Sequence, residues 1–440
     1  MTAVSMVRSR FPVLLALVLA LIVNGGFGGC ASSASGGRVT ILGSWTGAEE
    51  QPVRQMLDVF EQQTGIQVDY IGTAAVDQVL QSAVQQGSPP DVAVLPSLGD
   101  AARYRGELKP LDGMVGDEWA DGYSQQWREL AAAGLNDELY SVPVQVNLKG
   151  LVWFNSKHPP RKVPRTFEEL TALGNEIAAG GTAPWCLGVS AQSTSGWPGT
   201  DWIENILLHQ SGVDAYQEWA TGQLPWTSPV VRQAWTTWGQ VVGGPGQVRG
   251  GSTAALLTEF GDAARPMFAD GPGCLMEHQG SFISGYYSGY DGNPRRGTDF
   301  DFFPFPTFGG ADTTGEPRSV AADMASVFND TPQAKELIRF LVSAQAQRQW
   351  PAAGLFSASS RVPVAEYEPF DSRIATELTG PAPLCFDASD LMPTAMRGAF
   401  YRAVLEYMSD PARLDVLLGE LDQVRSGIQT EHWLNVACGR

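Results

Sequence analysis

The sequence predicts an α/β protein, and three observations carry that reading. Apolar runs of strand length alternate with amphipathic helical stretches, strand–helix–strand–helix–strand, over residues 39–95. Glycines stand where each of those helices should stop. Beyond the N-terminus, no unbroken apolar run is long enough to cross a bilayer. Such an alternation builds a parallel sheet, because each helix carries the chain back across the sheet face to start the next strand.

The first run, Val39 to Ser44, reads as a buried strand ending in a small-residue turn. A helix over about 49–63 follows, with Val53, Met56, Leu57 and Phe60 on one face. Pro52 falls in its first turn, where the missing N–H is harmless, and Gly65 ends it. The second strand covers 66–71, the second helix 76–86, and the third strand 91–95. Residues 141–155 are a long β-rich stretch. Thr166 caps a helix with Glu169 at the capping-box position, backed by Phe167, Leu170, Leu173 and Ile177. Further strands are expected at 185–189 and 274–276, and helices at 202–210, 228–242, 331–343, 398–408 and 410–426. Gln279 to Ser281 reads as a turn. Residues 285–317, rich in Gly, Pro, Tyr and Phe, read as loops.

The first thirty residues have a different character. Arg8 and Arg10 precede a continuous apolar run from Phe11 to Val23, followed by Phe27-Gly28-Gly29-Cys30. The run suits the apolar region of a signal peptide. Small residues before a cysteine resemble the lipobox of bacterial lipoproteins, with Phe27 where Leu is usual. The resemblance implies a signal peptide over 1–29, lipidation of Cys30, and anchoring to the outer face of the cell membrane. Acyl chains contribute ~0.8 kcal/mol per buried CH₂ to such an anchor. The small, polar stretch 31–37 extends a flexible tether, taken as 30–38.

The formal charge is −18, and losing residues 1–29, with two Arg and no acid, takes it to −20. That balance argues against nucleic acid as a partner. The remaining cysteines, Cys186, Cys274, Cys385 and Cys438, are an even number for an oxidising compartment. Four cysteines allow three pairings. Cys186–Cys274 with Cys385–Cys438 is preferred, the first bracketing the middle region and the second clipping the C-terminal tail; the connectivity stays open. No cysteine pair has zinc-ligand spacing, and His158, His209, His278 and His432 show none either. No metal or cofactor is expected.

Several blocks, taken in order, resemble one family: FEQQTGIQV (60–68), QQGSPPDVAVL (85–95), LVWFNSKHPPRKVPRTFEELTAL (151–173), GPGCLMEHQGSFI (271–283) and TPQAKELIRFLVSAQAQRQW (331–350). Together they resemble the extracellular solute-binding proteins of carbohydrate ABC transporters, the group related to maltose-binding protein. WTGAEE (45–50) and the PWCLG…SGWPGTDW stretch (184–202) are most similar to its α-glucoside-binding branch. The resemblance implies a two-lobed periplasmic-binding-protein fold of type II, each lobe a mostly parallel sheet flanked by helices, with the ligand in the cleft between. It places one lobe at 39–145 plus 304–355 and the other at 146–303 plus 356–440, with crossings near 142–150, 304 and 356. The implied function is capture of a sugar or sugar derivative and its delivery to the membrane-spanning permease of an ABC importer, by a monomeric receptor.

A pyranose presents apolar C–H faces and a rim of hydroxyls, so its site needs flat aromatics and side chains that donate and accept hydrogen bonds. Ligand sites in open α/β folds lie beyond the C-terminal ends of strands. Trp45 and Glu49 follow the first strand and Leu95 and Ser97 the third. Glu50 is read as a helix N-terminal carboxylate and Asp91 as structural. The resemblance adds Asn147 in the first crossing, Ser195, Trp197 and Asp201 in a Gly/Pro-rich loop, Gln279 and Phe282 at a turn where a stacking Trp is usual, and Phe356 after the last crossing. A secreted glycoside hydrolase would need two carboxylates facing one glycosidic bond, ~5–9.5 Å apart. Glu49/Glu50 and Asp299/Asp301 are the tempting pairs, each more simply a capping or surface residue, and no hydrolase or P-loop motif is present. An enzyme is not expected. A sensor or adhesin ectodomain on the same fold is the other alternative.

Overall fold

The computed structural model describes residues 36–439 apart from 74, 133–137 and 311–314. The signal segment, Cys30 and most of the tether lie outside the described residues. The described strands are β1 (Gly37–Gly43), β2 (Ile66–Gly72), β3 (Val92–Leu95), β4 (Val142–Leu148), β5 (Leu151–Asn155), β6 (Ala183–Trp185), β7 (Cys274–Gln279), β8 (Phe300–Pro304), β9 (Arg318–Val327), β10 (Leu384–Phe386) and β11 (Cys438–Gly439). They form two sheets, one per lobe. The larger runs β11-β10-β9-β3-β1-β2 with β4 also on β9, and the smaller runs β6-β7-β5-β8.

The N-terminal unit has the expected form. β1 pairs in parallel with β2 and β3. The Glu50–Thr64 helix buries Val53, Met56, Leu57 and Phe60, and Gly65 ends it in the left-handed region at φ 69°. Asp91 is structural, as its Oδ2 accepts from the backbone N–H and the hydroxyl of Thr40, both at 2.9 Å. Thr166 caps the Phe167–Ala179 helix by accepting from Glu169 N–H.

Four expectations fail, each for a topological reason. Gly37 and Arg38, assigned to the tether, already pair with Ile66 and Gln67 of β2. Residues 285–317 are not all loop: they hold the end of an Ile283–Ser288 helix and the whole of β8. The smaller sheet is not mostly parallel, since β5 is antiparallel to both β7 and β8. β5 carries the chain away from the first crossing and β8 brings it back, with Leu151 opposite Pro304. A strand that returns to its starting end must run antiparallel. Finally, β4 stays in the larger sheet as far as Leu148, and β10 and β11 also pair into that sheet, so 146–148, 384–386 and 438–439 depart from the lobe boundaries expected above.

The first crossing is the two-residue link Lys149-Gly150 between β4 and β5. Gly150 has φ 67°, and a Cβ there would sit 2.1 Å from Asn205 Oδ1, so only glycine fits. Near the third crossing, the Val146 N–H donates to the Phe356 carbonyl at 3.0 Å. Cys186–Cys274 ties the chain after β6 to the start of β7, and Cys385–Cys438 joins β10 to β11, the preferred pairing. Among the described residues, no helix is long and apolar enough to cross a membrane.

Cys186–Cys274 closes a loop with a sequence separation of 88. The double variant Cys186→Ser/Cys274→Ser should lose about 2–4 kcal/mol of unfolding free energy, read as a lower urea midpoint. An unchanged midpoint would mean that the bridge does not constrain the unfolded chain.

Candidate functional site

A cavity of about 460 Å³ lies between the two sheets. The turn after β1 supplies Trp45 and Glu49, β4 supplies Gln145 and Asn147, the first crossing supplies Lys149, and β9 supplies Asp323. From the smaller lobe come Trp197 and Asp201 on the Trp197–Ala220 helix, and Phe282 and Tyr286 around the Ile283–Ser288 helix. β7 ends with Gln279 opposite Leu151, at the crossing end of its sheet, which is why Phe282 reaches the cavity. Trp197 is placed by Gly196, whose φ is 111° and whose Cβ would lie 2.3 Å from the Tyr401 carbonyl oxygen.

Buried ion pairs organise one part of the cavity. Lys149 Nζ lies 2.5 Å from Asp201 Oδ2 and 2.8 Å from Asp387 Oδ2, with all three side chains buried. The same ammonium stands 5.0 Å from the centre of the Trp197 ring and 5.9 Å from that of Phe282, within cation–π range. Burial opposes the charge on Lys149, but Asp201, Asp387 and Asp390 outweigh it and hold the pKa above its ordinary value. One ammonium between two carboxylates leaves excess negative charge. Asp201 is accordingly pushed well above the carboxylate range, by burial first and then by Asp387. Asp390 is raised to about 8, again by burial and then Asp387.

Arg397 forms a second cluster, 2.6 Å from Asp100 and 3.0 Å from Asp77. Asp77 is raised to about 7 by burial and by Asp100. Lys149 and Arg397 are the cationic side chains lining the cavity, and both are engaged in this way. Asp201, Glu204 and Asp387 bring carboxylate oxygens within 4.8 Å of one another, a spacing that could hold a cation. The Lys149 ammonium already serves two of the three.

Among the described residues, the charged side chains lining the other part of the cavity are acids. Asp323 accepts from Trp45 Nε1 at 3.2 Å and from the Ser44 hydroxyl at 3.3 Å. Burial raises it to about 6 against those two bonds. Glu49 is raised to about 7 by burial and then by Asp323. Glu259 accepts from the Ser190 hydroxyl at 3.1 Å.

Trp45, Glu49, Asn147, Trp197, Asp201 and Phe282, all expected at a site, line this one cavity. Five other expected residues do not. Leu95 is wholly buried in an apolar cluster with Leu42 and Leu80. Ser97 caps the Leu98–Arg103 helix, accepting from Asp100 N–H and donating to the Asp390 carbonyl. Ser195 Oγ donates to the Gln192 carbonyl and accepts from Ala191 N–H. Gln279 turns its Oε1 back to the Gly280 N–H. Phe356 stacks on Tyr367, with ring centres 5.7 Å apart. Sequence reasoning missed Lys149, Asp323, Asp387 and Arg397. Lys149 alone carried a usable signal, the one charged residue in the crossing stretch 142–150.

The model of the bacterial extracellular solute-binding protein family matches residues 43–348. The osmoprotective compounds-binding protein GgtB of Synechocystis sp. is 32% identical over 389 residues, covering 86% of this chain and 90% of that protein. The α-glucosides-binding periplasmic protein AglE of Rhizobium meliloti is also 32% identical, over 398 residues, covering 87% and 86%. Among solved structures, the solute receptor AcbH, described with a preference for β-D-galactopyranose, superposes with a TM-score of 0.76 at 19% identity, covering 89% of this chain and all of that one. RafE in complex with raffinose superposes at 0.68 with 16% identity, covering 89% and 99%. With a family match over most of its length and relatives 32% identical along most of both chains, this protein belongs to the bacterial extracellular solute-binding proteins.

Proposed function

We propose that this protein is the sugar receptor of an ABC importer. It is held outside the cell membrane by a lipid on Cys30, captures a neutral or cationic sugar in the interlobe cavity, and passes it unchanged to the permease. The observation that carries the reading is a cavity combining aromatic faces with both kinds of hydrogen-bonding side chain. Trp45, Trp197, Phe282 and Tyr286 offer ring surface, and Glu49, Asn147 and Asp323 offer polar contacts beside them. A sugar hydroxyl both donates and accepts, so it suits carboxylates, an amide and an ammonium alike. The relatives named for α-glucosides and osmoprotective compounds support the same class.

Charge narrows the class. Both cationic side chains are already paired with aspartates, whereas Glu49, Asp323 and Glu259 have no basic partner among the described residues lining the cavity. An anionic ligand would meet uncompensated carboxylates in a site of low dielectric. A neutral ring, or one carrying an amine, would not.

A thermal-shift screen of α-glucosides, trehalose-like disaccharides, amino sugars and glycerol phosphodiesters tests this. A sugar at 100 times its Kd should stabilise the protein by about 2.7 kcal/mol through mass action, and should be recovered chemically intact. Release of a monosaccharide would replace the receptor with a hydrolase, and stabilisation by the phosphodiester alone would overturn the charge argument. Trp197→Ala should weaken binding at least tenfold without lowering the melting temperature of the free protein; unchanged affinity would remove that ring from the site.

The acids also set a pH dependence. Glu49, Asp77, Asp323 and Asp390 have folded pKa values of about 7, 7, 6 and 8, each above its ordinary value. Between the ordinary and the raised values, the folded state keeps protons that the unfolded chain has released. Stability from these groups is therefore complete below their ordinary values and is lost as pH rises through 6–8. The melting temperature of the ligand-free protein should fall from pH 5 to pH 8, and Asp390→Asn should flatten the upper part of that fall. A profile that rises across this window would contradict the assignment.

A further inference from the structure

Beside the cavity, the lobes meet across a seam with open space on both sides. One space, of about 600 Å³, is lined by Ser288, Arg296, Ala353, Gly354 and Asp371. The other, of about 410 Å³, is also lined by Ser288, Arg296 and Ala353, and it shares Glu49 and Tyr286 with the cavity. Arg296 stands between the two. It belongs to the smaller lobe, in the turn between the Ile283–Ser288 helix and β8. Gly354 ends the Gln349–Ala353 helix of the larger lobe, which Trp350 fastens to β4 by donating to the Val144 carbonyl at 2.8 Å. The chain then enters the third crossing, where Phe356 bridges to Val146.

Gly354 is a seat for the guanidinium. Its φ is 66°, and a Cβ there would fall onto Arg296 Nη1 and Cζ. Asp371 Oδ2 lies 3.1 Å from the same Nη1. That buried carboxylate is in the first turn of the Pro369–Thr379 helix, which reaches both sheets. At its start, Phe370 packs on Phe300 and Phe302 of β8, with ring centres 5.8 and 5.3 Å away. At its end, Glu377 pairs with Arg318 of β9 at 2.7 Å. A guanidinium offers a flat face to bare backbone and an edge to a carboxylate, which an ammonium does not.

We propose that Arg296 is a positioning residue for capture: seated over Gly354 and paired with Asp371, it holds the lobes at the angle that sets Trp45 and Glu49 opposite Trp197 and Phe282. Arg296 is not among the described residues lining the cavity, so it acts on a ligand through the lobe angle. Packing cannot take over its role, because space lies on either side of the side chain. Without the contact the seam opens, and apparent affinity falls with the fraction of molecules still in the binding arrangement. The proposal rests on capture between the lobes, not on which sugar is captured.

Pulsed dipolar spectroscopy reads the lobe angle without a ligand, from nitroxide labels at Gln63→Cys on the larger lobe and Ala172→Cys on the smaller, both exposed helical positions. Arg296→Ala should shift the distance to longer values. Gly354→Ala, which evicts the guanidinium but keeps its charge, should shift it the same way, and combining the two should add nothing further. Arg296→Lys should recover only part of the original distance. Arg296→Ala with Asp371→Asn leaves no buried carboxylate unpaired at the seam and should still give the longer distance. With maltose and trehalose as probes, Arg296→Ala should bind about tenfold more weakly. An unchanged or shorter distance in Arg296→Ala, a Gly354→Ala effect undiminished on top of it, an original distance in the Arg296/Asp371 double variant, or unchanged affinity for a saccharide that binds would overturn the positioning role. Distances that move as expected while no saccharide of the screen above binds would instead sink the sugar reading and leave Arg296 as the residue that sets the lobe angle.

Discussion

The arrangement of this protein's cleft depends on a buried ammonium. Lys149 occupies the two-residue link between the sheets and meets Asp201 from a helix of the smaller lobe and Asp387 from the segment just after β10 of the larger sheet. Desolvating a charge costs several kcal/mol, and removing one partner of a buried pair costs about 3–5 kcal/mol. The three segments are therefore held in one register wherever the rest of the lobes goes. The same ammonium lies beside Trp197 and Phe282, so the group that fixes the crossing also fixes the aromatic faces of the cavity. Such a triad contributes specificity of arrangement more than stability, because well-packed apolar residues would stabilise as well without fixing the geometry of a site.

The parts of the fold legible in the sequence are those where local pattern and tertiary outcome agree. The first three strands and two helices are bounded by glycines and carry clean apolar faces. β9 is the instructive failure. Its sequence, RSVAADMASV, is rich in Ala and Ser and carries an Asp, and no alternation marks it as a strand. It is a strand because β3 and β4 pair along it from both sides, with Ala325 opposite Val94 and opposite Val142. Context of that kind overrides propensity, and it cannot be read from ten residues. β10 and β11 are three and two residues long, and the Cys385–Cys438 bridge holds them as a pair more firmly than their own ladder could.

The site divides along similar lines. Trp45, Glu49, Trp197 and Phe282 follow strand ends or open helices, positions that face a cleft in any fold of this class. Leu95 ends β3 and Ser97 follows it, yet β3 is central, and its end is covered by the Leu98–Arg103 helix and the Asp390 carbonyl. Asp323 and Arg397 gave no local sign. Asp323 lies in the middle of β9, paired with Gln145 of β4, and reaches the cavity only because the larger sheet presents that register to it. Arg397 arrives from the Thr394–Ser409 helix to meet Asp77 and Asp100, more than 290 residues earlier in the chain. Long-range charge pairs leave no periodicity behind, so composition records the acids without revealing which ones converge.

The two parts of the cavity differ in what they can do for a ligand. Where Lys149 and Arg397 are paired, charge is already compensated and the side chains are held before anything binds. That reduces the ordering cost of binding and favours a ligand that fits the existing geometry. Where Glu49 and Asp323 stand apart from the two cavity cations, burial raises them to about 7 and about 6, so each can donate as well as accept once pH falls below those values. A hydroxyl-bearing ligand can use either state, whereas an anion can use only the protonated one. Selectivity against anions thus follows from the unpaired acids, and rigidity from the paired ones. One acidic composition serves both ends because the two bases are spent on one side of the cavity.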